Sequence, residues 1–484
     1  MRVLFVTSEC YPVVKTGGLA DVSAALPPAL NDLGLDARVL LPGYPAVLDG
    51  LEDKRTLRPL SGLPGVGEGA LIAGRLPGGV TAYAIDAPAL YARPGNPYVS
   101  PSGLGWADNH LRFAALGWVA AGFAGPAVDD RQWRPDLIHG NDWQSGLMPA
   151  YVAFMGSRRP ATVMTIHNIA YQGQFAETSL GALHLPPHCY HMHGVEYYGT
   201  IGFLKAGLYY ADRLTTVSPT YAREIQSAEH GCGLEGLLAS RTEELTGILN
   251  GVDYGIWNPA SDPYLVAPYD HAGLEVKARS KAALQAEFGL DVNPEAPLFA
   301  MVSRLNWHKG ADLLPEVLPA LFARGGQVVL LGTGEAGLET ALSAIGAARP
   351  RSAGVHIGYD EAQAHRIQAG ADVLMVPSRA EPCGLTQLYA MRYGTLPLVR
   401  RTGGLEDTVI DATPAALADG CATGFAFDEA TAEALGWAIR RAADLYRAPE
   451  RWRALQQRAM TRDFGWAGSA REYLRLYREL VPGR

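Results

Sequence analysis

Lysine is scarce in this chain. Of 484 residues, Lys and Arg together number 41, and only positions 15, 54, 205, 277, 281 and 309 are Lys. Where Arg is the default cation, a retained Lys marks a place suited to a compact ammonium rather than a planar guanidinium. Lys54, Lys277 and Lys281 are nevertheless expected on the surface. Cysteine is sparse too: Cys10, Cys189, Cys232, Cys383 and Cys421 are far apart and no C-x-x-C occurs. That spacing argues against a disulfide scaffold and a Zn ribbon and suits a reducing, cytoplasmic setting. The net charge is −8, without the basic excess that a nucleic-acid backbone or an anionic membrane requires. No stretch approaches the ~20 apolar residues of a membrane span. Only the short run Val3–Val6 follows Arg2, so no targeting segment is expected. A Walker A motif is absent.

Glycine (55) and proline (33) are abundant, which implies many tight turns and loop-to-helix junctions. Arg2–Glu9 is a near-continuous apolar run ending in small polar residues, the pattern of a strand covered on both faces of a parallel sheet. A helix over Gly18–Leu33 and a strand over Ala37–Pro42 follow. Further strands are read at Thr81–Asp86, Asp136–His139, Ala161–His167 and Arg213–Ser218. Helices are read at Trp106–Phe123, Gly146–Phe154 and Gly199–Tyr210. Such alternation predicts a doubly wound parallel sheet. Tyr254–Asp270, rich in Pro, Asp and aromatics, suits a linker. The alternation restarts with the strand Leu298–Ser303 and runs to the strand Leu396–Val399. Ala430–Arg484 reads as helical, interrupted near Phe464-Gly465. The chain is therefore two similar α/β halves.

Thr16-Gly-Gly-Leu-Ala-Asp21 and Thr402-Gly-Gly-Leu-Glu-Asp407 repeat one T-G-G-L-x-D hexapeptide. Each is placed near a helix start, where a Gly pair lets backbone N–H groups approach a ligand and the helix dipole favours an anion. One copy per half suggests a cleft with two walls gripping a polar ligand. Arg304 and Lys309, five residues apart on a loop entering a helix, suit a diphosphate clamp; the plain alternative is a solvated basic loop. Glu381, in Pro377-Ser-Arg-Ala-Glu-Pro-Cys-Gly-Leu-Thr-Gln387, is poorly explained by core packing, its alternative being a charge that complements a helix dipole. His139-Gly-Asn-Asp-Trp143 and Thr165-Ile-His-Asn-Ile169 end internal strands, bringing the Asp142 carboxylate and the His167 imidazole to one sheet rim. Gly332-Thr-Gly-Glu-Ala-Gly337 formally matches G-x-G-x-x-G but sits in the wrong unit of its half for a dinucleotide fingerprint. His188-Cys-Tyr-His-Met-His193 is compact, yet no second ligand group of familiar spacing accompanies it.

Taken in order, Lys15-Thr-Gly-Gly-Leu-Ala-Asp-Val22, Asn141-Asp-Trp143, His167-Asn-Ile-Ala-Tyr-Gln-Gly173, Leu249-Asn-Gly-Val-Asp253, Arg304 with Lys309, and Glu381-Pro-Cys-Gly-Leu-Thr386 resemble bacterial glycogen synthase and plant starch synthase. The resemblance runs over essentially the whole length. It implies a GT-B architecture, two Rossmann-like doubly wound domains facing a deep interdomain cleft. Residues 1–253 would form the acceptor-side domain, completed by the helix 466–484, and 254–465 the nucleotide-sugar domain. It further implies retaining transfer of glucose from ADP-glucose to the non-reducing end of an α-1,4-glucan such as glycogen, with no metal and no cofactor. Carried over residue by residue, Glu381, His167, Asp142, Arg304 and Lys309 are the catalytic set. Lys15, Gly18, Asn250, Arg304, Lys309, Cys383, Gly384, Leu385 and Thr386 are the donor-binding set. Two positions depart from the family pattern. Gln144 replaces a His after Trp143, and Tyr389 stands where a wider E-x7-E pattern has a second Glu. A nicotinamide-linked oxidoreductase, a non-catalytic glucan- or nucleotide-binding protein and a sucrose or sucrose-phosphate synthase-like transferase are the competing readings.

Overall fold

The apolar run at the start becomes the strand Arg2–Val6, buried from Val3 onward, as coverage on both sheet faces requires. The structure, a computed structural model, describes residues 1–125, 133–155 and 159–483. The chain divides into two units: Met1–Gly251 with the segment from Trp466 onward, and Val252–Gly465.

Among the described residues, the first unit holds a nine-stranded sheet. Its order is Leu245–Gly247, Arg213–Thr216, Ala161–Ile166, Leu137–Asn141, Arg2–Val6, Asp36–Pro42, Thr81–Asp86, Gly67–Arg75 and Glu52–Leu63. Neighbours pair in parallel up to Thr81–Asp86, and the last two strands add antiparallel. That hairpin was not anticipated; its outer strand Glu52–Leu63 is mostly exposed and carries Asp53, Lys54 and Arg55, charges that blunt an open edge. The helix Trp466–Leu480 buries Trp466, Ala470, Tyr473 and Tyr477, an apolar face at helical spacing, against Val3, Phe5, Val22 and Leu26 of this unit.

The second unit is a six-stranded, all-parallel sheet in the order Ala353–Ile357, Gln327–Gly332, Leu298–Val302, Val373–Val376, Leu396–Arg400 and Phe425–Phe427. No helix among the described residues is long and apolar enough to cross a membrane.

Several expectations are corrected here. Residues 254–270 are packed into the second unit and are not a bare linker. Trp257 stacks between the rings of His365 (3.8 Å) and Tyr389 (3.9 Å), and buried Asp262 accepts from Tyr393 (2.5 Å) and pairs with His365 (2.7 Å). The helix expected from Gly199 begins at Phe203, because Thr200–Gly202 is a short strand. The C-terminal region breaks twice, near Ala448 as well as near Gly465; Pro449 starts a new helix at a position where its missing N–H costs nothing.

Lys277 and Lys281 are the clearest correction. Both lie on the helix Lys277–Glu287 and both are buried. Lys281 donates to Ala296 O (2.7 Å) and pairs with Asp372 (2.7 Å). Lys277 donates to Ala369 O (2.6 Å) and Thr395 Oγ1 (2.7 Å). Four residues apart, they share one helix face, and a flexible stem carries each ammonium to buried oxygen acceptors, a carbonyl and a hydroxyl for Lys277 and two carbonyls with a carboxylate for Lys281. Burial pulls Lys277 from its ordinary value of 10.5 down to about 7. Below pH 7 the folded chain holds a costly buried charge. Above it the folded chain sheds a proton that the unfolded chain retains up to the ordinary lysine range, so stability rises with pH. The Tm of the wild type minus that of Lys277→Met is therefore expected to grow more positive between about pH 6.5 and about pH 9. Thermal unfolding of both proteins across that range measures it, and a flat difference would contradict the shift.

Candidate active site

In each sheet the strand order reverses beside the unit's first strand, and open α/β sheets bind ligands at the carboxyl ends of strands at such a point. In the first unit the flanking strands are Arg2–Val6 and Leu137–Asn141, which pair directly. The chain leaving Val6 carries Glu9, Lys15 and Gly17 before the helix Gly18–Asp32, which Gly18 opens. Glu9 is 3% exposed. Its carboxylate accepts from Thr16 N (2.5 Å), Thr16 Oγ1 (2.5 Å) and Gly17 N (3.2 Å), and from the Tyr98 hydroxyl. The N–H groups of the T-G-G turn that face inward are thus ordered by an anion of the same chain. Lys15 pairs with Asp21 (2.8 Å) and lies over the Tyr11 ring.

The chain leaving Asn141 carries Asp142 in a left-handed backbone conformation (φ 53°), a strained setting for a residue other than Gly. Its Oδ1 accepts from His167 N (2.7 Å) and Asn168 N (3.4 Å), at the end of the adjacent strand Ala161–Ile166. Burial pushes the Asp142 carboxyl up to about 7; the two backbone N–H groups oppose this and the negative charge of Glu9 adds to it. Burial also drives His167 down to about 3, so it acts as a neutral imidazole. Its Nε2 meets Asn141 Oδ1 at 2.9 Å, and the Asn141 amide is oriented by donation to Val6 O. Asn250 is buried, and its side-chain oxygen has no hydrogen-bond partner among the described residues. The same holds for the oxygen of Gln144.

In the second unit the order reverses between Leu298–Val302 and Val373–Val376, paired through Phe299–Val373 and Ala300–Leu374. The loop after the first carries Arg304 and Lys309, and the loop after the second carries Glu381. Lys309 Nζ donates to Glu381 Oε2 at 2.5 Å, and buried Ser378 Oγ donates to the same oxygen at 2.8 Å. Asn306 caps the turn by accepting from Lys309 N (3.0 Å). Arg379 ties the loops together: it pairs with Asp312 (2.7 Å), donates to Trp307 O (2.6 Å), and its backbone N–H donates to His308 O (2.8 Å). Arg304 is exposed on this rim.

The second T-G-G-L copy starts the helix Gly403–Thr408 on the next strand's loop. Gly404 N donates to Glu381 O (3.2 Å) and Pro382 O (3.1 Å), and a Cβ at Gly403 would fall 2.0 Å from Glu381 O. These glycines let one backbone lie against another. Cys383, Gly384 and Leu385 lead into the helix Thr386–Arg392, with Gly384 at φ 70° and the Gln387 amide donating to Cys383 O (3.1 Å) and Gly384 O (3.0 Å). Tyr389, on that helix, is buried against Trp257. The G-x-G at Gly332 has a packing role as well: a Cβ at Gly332 would lie 1.9 Å from Ser303 O and one at Gly334 2.1 Å from Leu305 O, so this loop abuts Arg304's own. Histidines 188, 191 and 193 do not converge, and no group of three metal-ligating side chains occurs among the described residues. The sequence reading missed Glu9, Tyr98, Ser378 and Arg379. Glu9 left a signal, an acid ending the first strand just before the T-G-G turn.

Comparison with known proteins matches this geometry to a family. Residues 2–240 match the model described as starch synthase catalytic domain, and residues 285–458 match glycosyl transferases group 1. The chain is 51% identical over 487 residues to a glycogen synthase of Paramagnetospirillum magneticum, covering 99% of this chain and 98% of that one. It is 52% identical over 494 residues to a glycogen synthase of Albidiferax ferrireducens, covering both chains fully. The chain belongs to the glycogen synthase family. Among solved structures, the catalytic domain of starch synthase IV from Arabidopsis thaliana, bound to ADP and acarbose, is 32% identical with a TM-score of 0.89 over 99% of each chain. A sucrose-phosphate synthase from Thermosynechococcus elongatus, 18% identical with a TM-score of 0.60 over 100% of each chain, shares the fold. The fold is GT-B and the chain is a glycosyltransferase; hydride transfer and a purely binding role are set aside.

The raised Asp142 carboxyl gives a stability signature opposite in sign to that of Lys277. Between its ordinary value of 3.8 and about 7 the folded chain holds a proton that the unfolded chain has lost. The contribution of Asp142 is therefore greatest at low pH and is lost as pH rises toward 7. The Tm of the wild type minus that of Asp142→Asn is expected to fall between about pH 4.5 and about pH 8, as thermal unfolding measures. A difference that rises with pH would show an ionised carboxylate held by the amides of His167 and Asn168.

Proposed function

We propose that this enzyme transfers glucose from ADP-glucose to the non-reducing 4-hydroxyl of an α-1,4-glucan, with retention, and so elongates glycogen. The observation that carries this reading is the Arg304–Lys309 loop emerging beside the Glu381 loop, with Lys309 held by the Glu381 carboxylate, which Ser378 in turn orients. An ammonium has three donors, so the bond to Glu381 leaves others for a phosphate oxygen. When the bond between C1 of glucose and the diphosphate breaks, its electrons pass to the departing phosphate oxygen, and cations placed there stabilise the transition state most. Arg304 and Lys309 are assigned that role. The acceptor hydroxyl attacks C1 on the face the diphosphate leaves and yields its proton to that phosphate, so ADP and a glucan one residue longer result.

Asp142 and neutral His167 are assigned to the reacting sugar. Lys15, Gly18, Asn250 and the Cys383–Thr386 segment are assigned to the donor; the unpartnered Asn250 oxygen supports this, since an ordered acceptor of that kind suits a ligand hydroxyl or N–H. In this reading residues 1–253 with 466–484 serve the acceptor and 254–465 the nucleotide sugar. Charge neutralisation by side chains leaves no step for a metal.

Transfer of radiolabelled glucose to glycogen from ADP-glucose and UDP-glucose, run side by side, tests the donor. The kcat/KM is expected to be higher with ADP-glucose, and the reverse order would overturn that assignment. Arg304→Ala and Lys309→Ala are each expected to lower kcat by about 10²–10³-fold, the usual cost of removing one transition-state donor, with smaller changes in donor KM. Lys309→Arg is expected to restore only part of the rate, because the guanidinium is larger and planar. Lys15→Ala is expected to raise the ADP-glucose KM as well. Steady-state kinetics decides this, and effects confined to KM in all three alanine variants would reduce the cations to uniform binding.

A further inference from the structure

Beyond the reacting residues, the segment that carries His167 continues into a small, separately built platform. His167-Asn-Ile-Ala-Tyr-Gln-Gly173 runs directly into the strand Gln174–Ala176, which pairs antiparallel with Thr200–Gly202, which in turn pairs with Glu196–Tyr197. Phe203 N donates to Gly173 O (2.9 Å) and Leu204 N to Gln172 O (3.0 Å). The carbonyl of Cys232 accepts from both the Gln172 amide (2.9 Å) and the Tyr197 hydroxyl (2.9 Å), which locks the loop after His167 to the hairpin.

The turn of that hairpin is Tyr198-Gly199, with φ of 47° and 77°. A two-residue turn with both φ positive is the type I′ class, which selects Asn-Gly. A Tyr with positive φ is an outlier, and such outliers concentrate at functional sites. Packing does not account for it: Tyr198 is 82% exposed, its ring meeting Tyr197 edge-on at 4.8 Å. On the other side of the Cys232 tie, Tyr171 is 52% exposed. Two exposed tyrosines thus stand on a rigid mount continuous with the His167 loop.

We propose that Tyr198, together with Tyr171, is a stacking platform for glucose rings of the acceptor chain behind its reacting end. The proposal rests on the reading of His167 as a residue at the reacting sugar. An α-1,4-glucan offers apolar C–H faces rimmed by hydroxyls, which an aromatic ring with a polar tip matches, and tyrosine supplies that contact at low conformational cost. The occupant is the glucan because the mount is a direct extension of the acceptor-side loop.

Tyr198→Asn provides a clean test, since it installs the residue that the turn prefers and is expected to hold or raise Tm. Migration of the full-length enzyme in native gels with and without glycogen reads binding without catalysis. Loss of one stacking ring is expected to weaken the glycogen Kd by about three- to tenfold, and Tyr198→Phe to retain most of the affinity. In kinetics the glycogen KM is expected to rise in step, with the ADP-glucose KM little changed. Unchanged retardation of Tyr198→Asn, or a wild type that glycogen does not retard, would overturn the platform. So would a change in oligomeric state by light scattering with no change in retardation, which would make the ring a protein contact. Failure of the wild type to transfer glucose to glycogen while still being retarded by it would instead overturn the proposed reaction and leave the platform standing.

Discussion

The pairing of neighbouring parallel strands, at the order reversal in the second unit and beside it in the first, is the constraint on which both halves of the chemistry depend. Two strands hydrogen-bonded in parallel release their chains at the same sheet edge, less than 5 Å apart in the pairing direction, so the loops that follow must share one space. In the second unit this brings Lys309 to Glu381, 72 residues away in sequence. In the first it brings Asp142 to the backbone of His167. Neither pair is local, and neither needs a special helix or turn to meet; the ladder delivers them. Glycine then lets the loops close up. Gly310 lies where a Cβ would be 2.2 Å from Pro377 O, and Gly403 and Gly404 lie equally close to Glu381 and Cys383. A side chain at Gly310 would force the Lys309 and Glu381 loops apart, and one at Gly403 or Gly404 would push the second T-G-G-L turn off the Glu381 loop.

Electrostatically the two rims are built in opposite ways. Glu381 is buried with a cation and a hydroxyl on one oxygen, an arrangement in which truncating one partner strands the other charge. Asp142 is buried with only backbone N–H groups to oppose the loss of water and with a like charge nearby, so it shifts upward instead. Glu9, a few residues from Lys15, is satisfied by the T-G-G turn and by Tyr98. The first unit therefore concentrates acceptors and a neutral imidazole, which suits sugar hydroxyls. The second presents cations on a scaffold held by a carboxylate, which suits phosphate.

Much of this was legible in the residues. The strand–helix alternation, the strand-end positions of Asp142, His167, Arg304 and Glu381, and the doubled T-G-G-L turn all follow from periodicity and from where glycine falls. What was not legible depended on tertiary contact. Lys277 and Lys281 look like solvated charges on a polar helix, and only the buried oxygen acceptors beneath them show otherwise. The stretch 254–270 has a linker's composition, but its Trp257 finds two rings from elements more than 100 residues away. The outer hairpin Glu52–Arg75 lacks an apolar alternation because its edge strand is mostly exposed. Ser378 and Arg379 sit in plain view beside Glu381, but nothing in spacing alone reveals that one bonds its carboxylate and the other ties two loops.

The return of the chain to the first unit gives the C-terminal helix a part in the same scheme. Tyr477 on Trp466–Leu480 meets His139 Nδ1 at 2.7 Å; His139 Nε2 meets Thr165 Oγ1 at 2.5 Å, which meets Thr215 Oγ1 at 2.5 Å. Every residue of this line is fully buried, and burial holds His139 down to about 3, hence neutral. A network of this kind is sound only when each member is paired, and both imidazole nitrogens are. Thr165 joins it to the site, since its carbonyl accepts from Asp142 N (2.9 Å) while its hydroxyl faces His139. Asp142 is therefore braced at its carboxylate by the His167 amide and at its strained backbone by the Thr165 carbonyl, on a strand whose position is tied through His139 to the last helix. Strain of about 1–3 kcal/mol persists only where the surroundings over-determine it. Here the final helix, whose Tyr477 lies 338 residues downstream of His139, supplies part of that determination.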